Sequence, residues 1–134
     1  MESPDALLYE YAVVRYVPRV DREEFLNIGL VMMCKRQRWL KGRICLNSSR
    51  IEALNPAVNL ADLLRQASLF ERDDVPSADI PVEERYRWLT AVKSAVLQVS
   101  PSHPAMIPES AAIGEGKPAV LDREFERLFR DLVI

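Results

Sequence analysis

Six residues of this chain combine types and spacing suited to holding a ligand: Arg15, Asn27, Gly29, Trp39, Lys41 and Arg43. They interrupt runs that are otherwise apolar, YEYAVVRYV (9–17), FLNIGLVMMC (25–34) and RWLKGRICL (38–46). A guanidinium beside amide and aromatic groups suits a carboxylate or a phosphate, and a glycine lets a ligand or a second backbone come close. The same residues have a structural account. Arg15 pairs with Glu24 or Glu10 to tie strands together, Gly29 marks a bulge, and Asn27 satisfies a backbone group. Around them runs CKRQRWLKGRICLNSSR (34–50), which holds six cations and no acid. Lys35, Arg36, Arg38 and Arg50 form its basic patch. Such a cluster attracts phosphate or an acidic partner surface, or is simply the solvated outside of a hairpin.

Other chemistry is sparse. His103, the one histidine, lies in SPSHP between prolines, a context for a surface residue rather than an acid–base catalyst. GEGKPA (114–119) lacks the glycine spacing and the Ser/Thr of a phosphate loop, and Pro118 stands where a helix should begin. Asp21, Glu23 and Glu24 cluster as a metal-dependent hydrolase would require, or as solvated acids of a turn. Cys34 and Cys45 with one histidine fall short of the four ligands of a structural zinc site. No catalytic residue, metal or cofactor is assigned.

The elements that must position these residues open with three strands. The first is ended by Pro18, and the short polar link KRQR (35–38) joins the second and third in a hairpin. Alternation puts Leu26, Ile28, Leu30, Met32 and Cys34 on one face of the second strand, the core face, with Leu40, Gly42, Ile44 and Leu46 of the third. The opposite face then carries Asn27, Gly29, Trp39, Lys41 and Arg43. The first strand is ambiguous, because neither of its two sets is the more apolar. With Arg15 turned away from the helices, all six candidates share one surface.

Helices follow over 47–54, from Asn59 as cap of NLADLLRQASLFERDD, over 81–98, and over the closing LDREFERLFRDLVI. Residues 99–120 hold four of the nine prolines and two of the four glycines, so they form a long internal loop that is mobile and functional or hides a short strand near Ala105–Ile107. The expected fold is α+β, a single domain over 1–134. An N-terminal antiparallel three-stranded sheet, with a further short strand, carries helices on one face and leaves the other partly open.

The chain has 134 residues, enough for one core without disulfides or metal. Its net charge of −2 hides an asymmetry: residues 1–50 hold nine Lys/Arg against six Asp/Glu, and residues 51–134 nine against fourteen. No apolar run approaches the ~18–20 residues of a membrane helix, and the acidic N-terminus lacks the features of a signal peptide. A cytoplasmic protein is expected, with both cysteines reduced and buried.

RYVP (15–18), Glu24, NIGLV (27–31) and the closing FERLFRDLV (125–133) resemble an uncharacterised bacterial family, the domain of unknown function numbered three thousand and thirty-seven. The resemblance brackets nearly the whole chain and assigns no catalytic residue. Genes of that family often neighbour those of HipA-like serine/threonine kinases of toxin–antitoxin systems, so it implies a small companion of such a kinase. The leading expectation is a non-enzymatic binding module with a protein partner. The alternatives are nucleic-acid or phosphate-ligand binding through Arg15, Asn27, Arg36, Arg38, Lys41 and Arg43, and the metal-dependent hydrolase; the chain has no helix-turn-helix and no aromatic RNA platform.

Overall fold

A computed structural model of the chain describes residues 6–91, 94–108 and 116–134. Five strands, β1 (Leu7–Tyr16), β2 (Leu26–Cys34), β3 (Trp39–Ile44), β4 (Leu97–Val99) and β5 (His103–Ile107), form one antiparallel sheet. β3, β2 and β1 lie side by side as the meander expected from sequence. β4 and β5 lie end to end along the far edge of β1, opposite residues 14–16 and 7–11. β5 is the short strand hidden in the proline-rich segment; residues 109–115 of that segment lie outside the described ones.

Among the described residues the helices are α1 (Ser48–Leu54), α2 (Leu60–Ala67), α3 (Val82–Thr90) and α4 (Lys117–Leu132). Asn47 and Asn59 cap α1 and α2 by accepting the amide N–H groups of Arg50 and Asp62. α3 starts after Pro81 with Glu83 and Glu84 in its first turn, a sequence suited to a helix N-terminus. It stops at Thr90, short of the helix expected over 81–98, of which residues 92–93 lie outside the described ones. Residues 97–99 are strand instead. The outer edge of β1 needs partners for its backbone groups, and the Val17 N–H donates to the Val96 carbonyl at 2.8 Å while the Ser100 N–H donates to the Val13 carbonyl at 2.9 Å.

The helices cover both faces of the sheet, a correction to the expected one-sided packing. α1, α2, α3 and the 3-10 turn Ser68–Glu71 pack on Ala12, Val14, Tyr16, Ile28, Val31 and Met33. α4 packs Val120, Leu121, Phe125, Leu128 and Phe129 on the other face, against Leu7, Tyr9, Val13, Leu30, Met32 and Cys34. This double burial explains why the first strand looked ambiguous: β1 is central and buried on both sides, so neither of its alternating sets is polar.

A β-bulge decides the faces of β2. Val14 stands opposite Gly29 and Arg15 opposite Asn27, which leaves Ile28 as the extra residue. Leu26 and Ile28 therefore face α1–α3, whereas Leu30, Met32 and Cys34 face α4. The single apolar face read from strict alternation is split at this point. Gly42 of β3 is needed for a close approach, since a Cβ there would lie 1.8 Å from the Phe70 carbonyl oxygen. Cys34 is buried, but Cys45, just past β3, is exposed.

Candidate functional site

Five of the six candidates share the α4 face of the sheet, and four of them, Asn27, Trp39, Lys41 and Arg43, meet α4 directly. Arg43 grips Glu126 through both terminal nitrogens, at 2.8 and 2.7 Å, with its guanidinium carbon 5.2 Å from the Phe125 and Phe129 ring centres. That bond raises the pKa of Arg43 and lowers that of Glu126. Lys41 reaches Asp122 at 3.0 Å and lies 5.0 Å from the Phe125 ring centre, and Trp39 meets Phe125 edge-on at 6.4 Å. Asn27 donates its amide to the Leu132 carbonyl at 3.0 Å, at the end of α4. Arg15 makes neither of the ion pairs considered from sequence: it lies 4.3 Å over the Phe25 ring, Glu24 pairs with Arg22, and Glu10 accepts from Ser102. Two buried atoms here, Arg15 Nε and Asn27 Oδ1, have no hydrogen-bond partner among the described residues. Gly29 is not in this set. The bulge turns it to the other face, where a Cβ would lie 2.4 Å from Ile44 Cδ1. The cations and amide of the strands thus form the seat of the amphipathic C-terminal helix.

The basic patch divides. Lys35, Arg36 and Arg38 lie exposed on the turn between β2 and β3, whereas Arg50 is on the first turn of α1. The turn borders an end of the sheet that α1–α3 leave bare. There Leu8 of β1 and Met106 of β5 face each other across the strands and stay 44 % and 46 % exposed. A cavity of about 470 Å³ opens beside them, lined by Leu8, Tyr9, Glu10, Met33, Lys35, Arg36, Pro104 and Ala105. A second cavity of about 510 Å³ shares Lys35 and adds Arg38, Arg85 and the start of α3 from Pro81 to Glu83. Lys35 and Arg38 make no ion pair among the described residues. The polar end of this groove is organised by a hydrogen-bond chain: Ser102 donates to Glu10 at 3.0 Å and meets the Tyr86 hydroxyl at 2.7 Å. Burial pushes the Tyr86 phenol up to about 12.

The outer edge of β5 is blunted. Odd-numbered residues of β1 turn their backbone groups toward β4 and β5, as Val13 does. Pro104, opposite Glu10, therefore faces its backbone outward, where it has no N–H to offer another strand.

The acidic turn holds no metal geometry. Asp21 accepts from Arg19 at 2.6 Å and Glu24 from Arg22 at 2.5 Å, and the Arg19 guanidinium lowers the pKa of Asp21. Among the described residues no three His, Cys, Asp or Glu side chains are placed to hold a metal ion. The His103 ring lies 5.2 Å from that of Tyr11.

Leu8, Met33 and Met106 were not singled out in sequence. Their residue types are those of any core position, and only the extent of helix cover leaves Leu8 and Met106 exposed.

The sequence resemblance has a counterpart at the scale of the fold. The family model described as "Protein of unknown function (DUF3037)" matches residues 11–133, from the middle of β1 through the end of α4. The chain belongs to this family. No curated protein and no solved structure matches it. In this DUF3037 protein the matched span contains the whole α4 seat, the bulge and the basic turn, and leaves out Leu8. No helix among the described residues is long and apolar enough to cross a membrane.

Proposed function

We propose that this DUF3037 protein is a non-enzymatic, cytoplasmic binding module, and that the bare end of its sheet docks an apolar segment of a protein partner carrying acidic side chains. The observation that carries it is exposed Leu8 in a groove edged by Lys35 and Arg36, with exposed Met106 as its cross-strand neighbour and Arg38 lining the adjoining cavity. Exposed apolar residues gathered in a concave site supply the anchor, and the unpaired Lys35 and Arg38 beside it favour an acidic partner. A HipA-like kinase of a toxin–antitoxin system is the partner to test first. The tagged chain, co-expressed with such a kinase, should retain it at near-physiological salt. The double variant Leu8→Glu, Met106→Glu should lose it while its thermal midpoint stays put, because exposed changes rarely move stability by more than about 0.5 kcal/mol. Equal capture by both chains would refute the groove, and no capture by either would refute the kinase.

The exposed cations of the turn favour nucleic acid as a second reading, though Lys41 and Arg43 are already neutralised by α4. Binding of an oligonucleotide that weakens steeply with salt and is lost in Lys35→Gln, Arg38→Gln would support it.

A further inference from the structure

We infer that Arg15, at the other end of β1 from the proposed docking groove, is a site for a carboxylate borne on an apolar group. Arg15 stands on the central strand with Asn27 of β2 opposite it on one side and Gln98 of β4 on the other. Paired residues share a face, so the three strands set an amide, a guanidinium and a second amide in one row. Among the described residues the guanidinium makes no hydrogen bond and no ion pair. Its Nε is buried without a partner, as is the neighbouring Asn27 Oδ1, while its terminal nitrogens Nη1 and Nη2 are open to solvent. The acids nearest in sequence are committed elsewhere, Glu24 to Arg22 and Glu10 to Ser102. A partly buried guanidinium whose N–H groups find no acceptor is costly to leave unpaired.

The surroundings select the ligand. Phe25 lies against the guanidinium, with its ring centre 4.3 Å from the guanidinium carbon, and stays 49 % exposed. It steadies the fork and offers an apolar wall beside it. The neighbouring amide nitrogens are spent, Asn27 Nδ2 on the Leu132 carbonyl at 3.0 Å and Gln98 Nε2 on the Ala95 carbonyl at 2.9 Å. Arg15 is thus the charged donor of the row. Its two coplanar terminal nitrogens match the two oxygens of a carboxylate, and its one positive charge balances one negative charge, less than a phosphate carries. A small hydrophobic acid and the C-terminal carboxylate of a peptide both have this chemistry. Arg15 lies seven residues along β1 from Leu8, roughly 23 Å at strand spacing, so the site does not depend on the docking groove.

The test is a titration of the full chain with N-acetyl-leucine, read by backbone amide shifts and by the arginine Nε–H resonances. Saturable binding is expected, moving the Arg15 Nε–H signal and the amides of Phe25 and Asn27. N-acetyl-leucinamide and the variant Arg15→Gln should each bind about tenfold more weakly or worse, as for loss of a hydrogen-bonded charge. Phe25→Ala, at a half-exposed position, tests the same site without touching the central strand and should weaken binding too, while Leu8→Glu leaves it intact. A peptide ending in leucine that binds more tightly than N-acetyl-leucine would support a chain end as the source, and equal affinities a small acid. No saturable change, equal binding of acid and amide, or tighter binding of inorganic phosphate than of the acid would overturn the assignment.

Discussion

Phe125→Ala should destabilise the protein by about 3–5 kcal/mol, the range for truncating a buried aromatic residue. Phe125 is fully buried at 0 % exposure and is the hub of the α4 seat. It stacks on Phe129 at 6.0 Å, takes the edge of Trp39 at 6.4 Å, and lies beneath the charges of Lys41 and Arg43 at 5.0 and 5.2 Å. Each aromatic pair adds about 0.5–1.5 kcal/mol beyond its buried area, so the cost belongs in the upper part of that range. The cations add little, because Lys41 and Arg43 are partly exposed and keep Asp122 and Glu126 as partners. A domain of ordinary stability, about 5–15 kcal/mol, loses a large share of it. With a urea slope of about 1–3 kcal/mol/M the midpoint should fall by about 1 M or more. Urea unfolding followed by tryptophan fluorescence and circular dichroism measures this, and Phe125→Leu should recover most of the loss. A change below about 1 kcal/mol for the alanine variant would mean that α4 is not seated on the sheet, and the sharing of one covered face by Trp39, Lys41 and Arg43 would fail with it.

Gly42→Ala should cost at least about 1–3 kcal/mol by overpacking, since the added methyl meets backbone rather than a movable side chain; a urea midpoint equal to wild type would contradict the close approach to Phe70. Arg127 and Tyr9 hold the Glu124 carboxyl below its ordinary value of 4.5. Its stabilising contribution is thus complete above that value and lost as pH falls through the lowered one. Thermal midpoints measured from pH 6 to 3 should fall less steeply in Glu124→Gln than in wild type. Burial raises the Tyr86 phenol from 10.0 to about 12, so its contribution is complete below 10 and lost as pH rises toward 12. Ultraviolet titration at alkaline pH should show one late phenol fewer in Tyr86→Phe, and an unchanged late step would disprove the shift.

Much of the site's geometry was legible for a local reason. Side chains of β3 alternate without interruption, so Trp39, Lys41 and Arg43 could be grouped from sequence, and their common face follows. Gly29 was grouped wrongly because a bulge inserts one residue and reverses the alternation beyond it. The end of the helix over 81–98 was misjudged because the edge of β1 recruits residues 97–99, a demand set by a strand more than eighty positions away.

The sequence alone determined the three-stranded opening, the capped starts of α1 and α2, the family, and the amphipathic character of the closing helix. These depend on neighbours within a few residues: periodicity, side-chain caps and prolines act locally. Only the tertiary structure decided where α4 docks. Its return across the second face turns Asn27, Lys41 and Arg43 from an open surface into its own seat, while Leu8 and Met106 stay exposed. Both outcomes depend on contacts between residues about a hundred positions apart, which local spacing does not encode.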